Sequence, residues 1–444
     1  MKGTSKALTI VIKLGTSSIV DEHTREPILS ILTLIVEMAT KLHKDGHRVI
    51  IVSSGAVGVG LRKMDIEQRP KHLPCIQALA AVGQCQLMGI WDSLFAHLRQ
   101  PIAQILLTRN DIADRTQYIN AQNTFDELLK MGVIPIVNEN DTLAVSEIKF
   151  GDNDTLSAIT AAMVQADYLF LLTDVDGLYT SNPRTNPDAE VIEVVDDISS
   201  LEADVSTAGS SLGTGGMSTK IVAARLATSA GVTTVITRSS RPGNISEIID
   251  YLESSKRSLA LIEGEPMAQP PLYTPPLHTR FLPSTTPMQS RSFWILHGIT
   301  PHGTIYIDHG AYCAILNNAS LLPAGVVAVE GHFSQQEAVR VVVVERRSAS
   351  ALNGDFPLNG EEPKEAGRAL VNYGSAEIAR IKGLRSTQIR TVLGYADSEY
   401  IALRENISFF HMSDRPSRPG TPGLDEFMVR SGAQSPVIDK VVAA

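Results

Sequence analysis

Strand-length β-branched runs alternate along this chain with longer segments of helical period, and that alternation limits the fold more than any other feature. Leu8–Leu14, Arg48–Val52, Ile102–Leu107, Val133–Val137, Tyr168–Leu172 and Val232–Ile236 read as strands. Their near-continuous apolarity means that both faces are covered, as in a parallel sheet. Between them, Ile28, Ile31, Leu32, Ile35, Met38, Ala39 and Leu42 fall on one helical stripe. Tyr118, Ala121, Phe125, Leu128 and Leu129 repeat the pattern before Gly132 stops it. The alternation predicts an α/β three-layer sandwich with a mainly parallel central sheet over residues 8–262.

The texture then changes. Pro266, Pro270, Pro271, Pro275, Pro276, Pro283 and Pro287 fall in a stretch with little periodicity, so 263–290 is expected to be a Pro-rich linker without helix or sheet. Beyond it, Gly303–Asp308, Val326–Glu330, Val341–Glu345 and Ala369–Tyr373 read as short strands of a small β-rich domain over 291–410. Asn353–Gly367 reads as a polar surface loop, and the Pro/Gly/Ser-rich residues 411–444 as a disordered tail. A length of 444 residues fits two domains.

Lys and Arg total 39 against 48 Asp and Glu, a net charge of −9 that argues against a protein built to grip a polyanion over a broad surface. The longest apolar run, Ile31–Met38, is cut by Thr33 and Glu37 and falls far short of the roughly 20 residues of a membrane span, so no membrane role is expected. Met1–Ala7 is polar and the apolar stretch after it is strand-like, unlike a signal peptide, which makes the cytoplasm the expected compartment. Cys75, Cys85 and Cys313 fit a reducing compartment and read as structural thiols.

In open α/β sheets ligands bind beyond the carboxyl ends of the strands, and the residues there are unusually polar. Lys13 precedes Gly15 and the hydroxyls of Thr16, Ser17 and Ser18. A lysine in a buried strand needs an anion to offset its desolvation, although a snorkelling surface lysine is an equal alternative. Ser53-Ser54-Gly55-Ala56 is a small-residue turn whose amides can face a carboxylate or phosphate, and the spacing of Gly55, Gly58 and Gly60 is not a dinucleotide fingerprint. Asn138–Asp141 and Gly151–Asp154 each crowd carboxylates and amides into four residues, which calls for a cation nearby, though Asp152 or Asn153 could simply cap a helix. Thr173-Asp174 ends another strand, and the Gly-rich run Gly213–Lys220 offers N–H donors, hydroxyls and one positive charge to a polyphosphate. It is no Walker A loop, and neither H-R-D nor D-F-G occurs.

In this order, Val11–Ser17, Val52–Ala56, Leu107-Thr108-Arg109, Val137–Asp141, Ile148–Asp154, Leu172-Thr173-Asp174 and Gly213–Lys220 resemble the amino-acid kinase family. The similarity is strongest to members that phosphorylate glutamate and append a PUA domain, in a layout closer to the fungal type because of its long Pro-rich connector. The resemblance implies the amino-acid kinase fold with a PUA-like C-terminal domain. It also implies transfer of the γ-phosphoryl of MgATP to the side-chain carboxylate of L-glutamate, giving L-glutamyl 5-phosphate, the first step of proline biosynthesis. By that similarity Ser54, Asp141 and Asn153 hold glutamate. Lys13, Thr173 and Asp174 meet the nucleotide with Thr214, Gly215, Gly216, Met217, Ser218, Thr219 and Lys220. Lys13 and Lys220 lie on the transferring phosphates, Asp154 orients them, and Mg2+ arrives with ATP rather than on a protein site.

Residue chemistry agrees with this assignment. A carboxylate acceptor with a pKa of about 4.3 is already ionised at neutral pH and needs no catalytic base. Asp141 can pair with an ammonium, while Ser54 and the Gly55 amide can receive a carboxylate. The family implies a homo-oligomer, association with glutamyl-phosphate reductase and feedback by proline. Other readings are a kinase of N-acetylglutamate, aspartate or a nucleoside monophosphate, or an RNA-binding or regulatory protein with a vestigial kinase domain. The C-terminal part is slightly acidic, and its one basic patch, Arg380, Lys382, Arg385 and Arg390, reads as a solvated helix face, which leaves RNA binding open.

Overall fold

The computed structural model describes residues 7–21, 24–143, 153–181, 183, 186, 188–196, 198, 216–261, 274–285, 287–344 and 365–410. The chain forms two units, Met1–Pro301 and His302–Ala444.

In the first unit the strands are β1 (Thr9–Leu14), β2 (Arg48–Ser53), β3 (Ile102–Leu107), β4 (Ile134–Glu139), β5 (Tyr168–Thr173), the two-residue β6 (Leu178–Tyr179), β7 (Val191–Ile192) and β8 (Val194–Val195), then β9 (Thr233–Arg238) and β10 (Thr279–Phe281). The helices are α1 (Thr16–Ile19), α2 (Leu29–Lys44), α3 (Ala56–Lys63), α4 (Leu73–His97), α5 (Arg109–Ala113), α6 (Arg115–Lys130), α7 (Asn153–Met163), α8 (Met217–Ser229), α9 (Asn244–Leu261) and α10 (Ser290–Phe293). Eight strands form one sheet in the order β3-β4-β2-β1-β5-β9-β10-β8. Every neighbouring pair is parallel except β9 with β10.

The period of two along β1 builds the layers. Ile10, Ile12 and Leu14 share a core with Leu32 and Ile35 of α2 and Ile245 and Ile248 of α9. Val11 and Lys13 therefore face the opposite side. That side is covered by α7, which packs across β1, β2, β4 and β5. Each large aliphatic chain removed from water on either face contributes about 1.5–3 kcal/mol, and β1 is buried along its whole length. β1 also lies where the connections reverse direction, with β2 on one side and β5 on the other, so the crevice beyond its carboxyl end is open to a ligand.

Glycines bring α3 and α4 together. A Cβ on Gly83 would lie 1.8 Å from Ala56 O, and one on Gly60 would lie 2.0 Å from Leu79 O. At the start of α3, Gly55 holds φ +101°, a left-handed conformation that glycine adopts without strain. α4 bears on the expectation about membrane spans. Among the described residues it is the one helix long and apolar enough to cross a membrane by length and composition alone. Reading consecutive apolar runs passed over it because Gln77, Gln84 and Gln86 interrupt the pattern. Its inner side nevertheless belongs to the core, where Trp91 and Phe95 are fully buried.

Other expectations are also revised. Thr279–Phe281, inside the stretch read as a linker, is a strand of the main sheet, because the prolines flank it and leave its N–H groups free to pair with β9. The division between units falls after Pro301, and residues 262–273 and the tail from 411 lie outside the described residues. Cys75 and Cys85 are exposed rather than buried structural thiols.

The second unit has β11 (Gly303–Asp308), β12 (Val326–Gly331), β13 (Ala338–Val344), β14 (Glu365–Leu370) and β15 (Ile407–Phe409), with α11 (His309–Leu316), α12 (Ser375–Ile381) and α13 (Ile389–Leu393). Its sheet runs β12-β11-β13-β14-β15 around Ile305, Val339, Val341, Ala369, Ile378 and Ile407. The strand expected at Ala369–Tyr373 starts earlier, within the supposed loop. Gly367 makes this possible, since a Cβ there would lie 2.2 Å from Ser408 O on β15. Residues 345–364, the rest of that loop, are outside the described residues. In the basic patch, Arg380 donates to Val392 O and so ties α12 to α13.

The α3–α4 crossing generates a prediction. Gly83→Ala is expected to lower stability by about 2–3 kcal/mol through overpacking, read as a fall in the urea midpoint. An unchanged midpoint would mean that the two helices do not cross this closely.

Candidate active site

Lys13 is the penultimate residue of β1 and sits on the α7 face with its side chain 4% exposed. α7 comes close to the sheet because Ser157, Ala158, Ala161 and Ala162 are small and buried. That approach places Asp154, in the first turn of α7 and fully buried, against the end of β1. α8 packs on α7 through Ala223, Ala224 and Ala227 and delivers Lys220, 8% exposed, to the same carboxylate.

Lys13 Nζ pairs closely with Asp154 Oδ1, and Lys220 Nζ lies 3.3 Å from Oδ2. The Thr219 hydroxyl donates to Oδ2 at 2.7 Å and accepts the Gly216 N–H at 3.0 Å. Burial pushes the Asp154 carboxyl up, but Lys13, Lys220 and the Thr219 hydroxyl outweigh it and hold the group down at about 2. Two ammonium groups share one carboxylate, so the trio carries one net positive charge in a buried place. Burying charge is costly, and an anion brought to this spot would reduce that cost.

A second cluster lies beside it at the ends of β2 and β4. Asn153 Nδ2 donates to Ser54 Oγ at 2.8 Å, to Asn138 Oδ1 at 2.9 Å and, more weakly, to Ser53 O at 3.3 Å. Asn138 Nδ2 in turn donates to Gln84 Oε1 of α4 at 2.8 Å. Asn153 is thus engaged by tertiary partners rather than by a capping bond to its own helix. Beyond β5, the Thr173 hydroxyl donates to Asp174 Oδ1 at 3.1 Å, and the Ser239 N–H donates to Thr173 O at 2.7 Å. Arg238 Nε and Nη2 grip both oxygens of Asp176 at 2.8 and 2.7 Å, fixing the loop that carries Asp174 against the end of β9.

The structure therefore joins Lys13, Asp154, Thr219 and Lys220 in one group, and Ser54 with Asn153 in another. Gly55 supplies the turn into α3, while Thr173 ends the strand next to β1 and Asp174 follows it. Asp141 lies in the turn after β4, half-buried and two residues past the strand end. Met217 and Ser218 open α8, and Thr214 and Gly215 lie outside the described residues. Thr219, which the resemblance assigns to the nucleotide, gives its hydroxyl proton to Asp154. Gln84 and the Arg238–Asp176 fork were missed altogether. The signal for Gln84 was its place on the side of α4 that carries Gly83, Leu87 and Trp91. Among the described residues no group of three His, Cys, Asp or Glu could hold a metal ion.

The sandwich and its lysine–carboxylate trio define the class. The amino acid kinase family model matches residues 8–238, and the chain belongs to that family. The PUA domain model matches residues 303–393, so the second unit carries a PUA domain. Among curated relatives, the "Probable glutamate 5-kinase" of Schizosaccharomyces pombe is 54% identical over 407 residues, 91% of this chain and 94% of that protein. The "Glutamate 5-kinase" of Microcystis aeruginosa is 46% identical, covering 92% of this chain and 98% of that one. Of solved structures, carbamate kinase from Giardia lamblia bound to AMP-PNP aligns with TM-score 0.43 and 17% identity over 63% of this chain and 99% of its own.

The Asp154 carboxyl has a lower pKa folded than unfolded, so the stability it confers is complete above about pH 5 and is lost as pH falls towards 2. The urea-unfolding gap between wild type and Asp154→Asn is expected to stay flat from pH 7 to about pH 5, then to shrink by about 2 kcal/mol on further acidification. A gap that widens in acid would contradict the ion-paired carboxylate.

Proposed function

We propose that this chain transfers the γ-phosphoryl group of MgATP to the side-chain carboxylate of L-glutamate, forming L-glutamyl 5-phosphate and ADP. The observation that carries the reading is the pair of buried lysines from distant parts of the sequence held on one carboxylate. It is supported by the names of relatives 45–54% identical over nine-tenths of the chain.

The barrier in such a reaction is electrostatic. An ionised carboxylate must approach a phosphoryl group that is itself negative, and a carboxylate with a pKa near 4.3 requires no base to do so. Lys13 and Lys220 neutralise the transferring group, and Asp154 holds both ammonium groups at fixed separation so that little reorganisation accompanies charge transfer. One oxygen of the acceptor carboxylate forms a bond to phosphorus while the bond to the ADP oxygen breaks. Mg2+ would be carried by the nucleotide substrate and would add positive charge at its phosphates. Thr173, Asp174 and the segment Thr214–Lys220 hold the nucleotide in this reading. Ser54, Gly55 and Asn153 hold the amino acid, with Asp141 pairing its ammonium.

The same reading includes a cytoplasmic homo-oligomer, for which the outer side of α4, with Val82 37% exposed, offers an apolar face. Proline as a feedback ligand is a proposal of the same kind that rests on the family resemblance, and contact with glutamyl-phosphate reductase is one motivated by the lability expected of an acyl phosphate.

Trapping the product with hydroxylamine, with glutamate, aspartate and N-acetylglutamate offered in turn, is expected to give hydroxamate with glutamate alone. Lys13→Ala and Lys220→Ala are expected to lower kcat by about 100-fold or more in a folded protein. Turnover near wild type in either variant would remove the lysines from the chemistry. Asp141→Ala is expected to raise the glutamate KM with the ATP KM little changed, and an unmoved glutamate KM would exclude Asp141 from the acceptor pocket.

A further inference from the structure

Three amides run head to tail from α4 into the acceptor cluster. Gln84 Oε1 accepts from Asn138 Nδ2 at 2.8 Å, and Asn138 Oδ1 accepts from Asn153 Nδ2 at 2.9 Å as well as from the Glu139 N–H at 2.9 Å. Asn138 is 2% exposed, so its amide cannot exchange these partners for water. A side-chain amide offers donors at one end and acceptors at the other, and in such a row the orientation of each member fixes that of the next.

Asn153 Nδ2 has spent its protons on Asn138 and Ser54, while Asn153 Oδ1 is buried with no hydrogen-bond partner among the described residues. An unmatched buried acceptor is expensive, and here it belongs to a residue bonded to Ser54. The oxygen end of Asn153 is therefore what the protein presents to an incoming N–H group.

We propose that Gln84 is a positioning residue for the acceptor site. By offering an oxygen to Asn138 it orients the amide row so that Asn153 presents Oδ1 to the amino group of the amino-acid substrate. This rests on the reading of the protein as a kinase of an amino acid, and it assigns to α4 a role that its apolar sequence conceals. A donor at position 84 would turn Asn138 around, bring two NH2 groups face to face, and drive Asn153 to present its nitrogen instead. The result would repel an ammonium.

The test is steady-state kinetics of the full chain, with glutamate and ATP varied separately and folding checked by thermal melting. Gln84→Glu still offers an oxygen and is expected to leave the glutamate KM within about threefold of wild type, whereas Gln84→Lys is expected to raise it about tenfold or more with the ATP KM unchanged. Adding Asn138→Asp to Gln84→Lys supplies an acceptor for the new ammonium and a second one for Asn153. The double variant is expected to recover most of the lost glutamate affinity. Equal glutamate KM values in Gln84→Glu and Gln84→Lys, or no recovery in a folded double variant, would overturn the proposal. A wild-type protein that forms no acyl phosphate from glutamate would instead refute the functional reading on which it stands.

Discussion

Asp154 holds two lysines that the sequence separates by more than two hundred residues, and the architecture of the first unit serves that contact. The carboxylate is fully buried, each lysine is less than a tenth exposed, and the Thr219 hydroxyl completes the shell. Taking one of these charges alone out of water would cost several kcal/mol. The arrangement is tolerable because each lysine pairs with its own carboxylate oxygen, and because the remaining positive charge suits a site that handles phosphate. The alanines and serines of α7 and α8 follow from this requirement, since larger side chains would keep the helices from bringing Asp154 and Lys220 to the end of β1.

A second requirement is met on the other side of the crevice. The glycine contacts between α3 and α4 let an apolar helix lie directly against the turn after β2, so that Gln84 and Trp91 reach Asn138 and Ser53. One helix thus closes the core with its aromatic residues and orients the polar end of the neighbouring strands. The loop after β5 is fixed by different means, a bidentate Arg238–Asp176 pair and the Thr279 hydroxyl, which accepts the Leu178 N–H at 2.6 Å. The three regions that the functional reading needs, for phosphate, amino acid and nucleotide, are each anchored to a separate strand end.

Much of this was legible without coordinates. Six of the eight strands of the sheet were visible as apolar, often β-branched runs because a strand covered on both faces has few polar positions to blur the pattern, and the polar clusters stood out because they interrupt those runs. Lys13 was suspicious for the same reason, as a charge in a buried strand. Thr279–Phe281 was not visible, because a three-residue strand amid prolines has no periodicity to detect. Gln84 was hidden because its one sign, a place on the same side of α4 as Leu87 and Trp91, does not reveal which polar partner it meets. Arg238 and Asp176 were missed because they lie more than sixty residues apart and each alone looks like an ordinary surface charge.

The sequence by itself determined the layers, since the period of two in strands and 3.6 in helices decides which face of each element is apolar. It also determined which residue types crowd the strand ends. Only the tertiary structure decided the pairings among them: that both lysines meet one carboxylate, that Thr219 supports Asp154, and that an amide row from α4 sets the orientation of Asn153. Local sequence governs the direction of a chain over a few residues, whereas contacts across tens to hundreds of residues depend on how closely whole helices can approach the sheet.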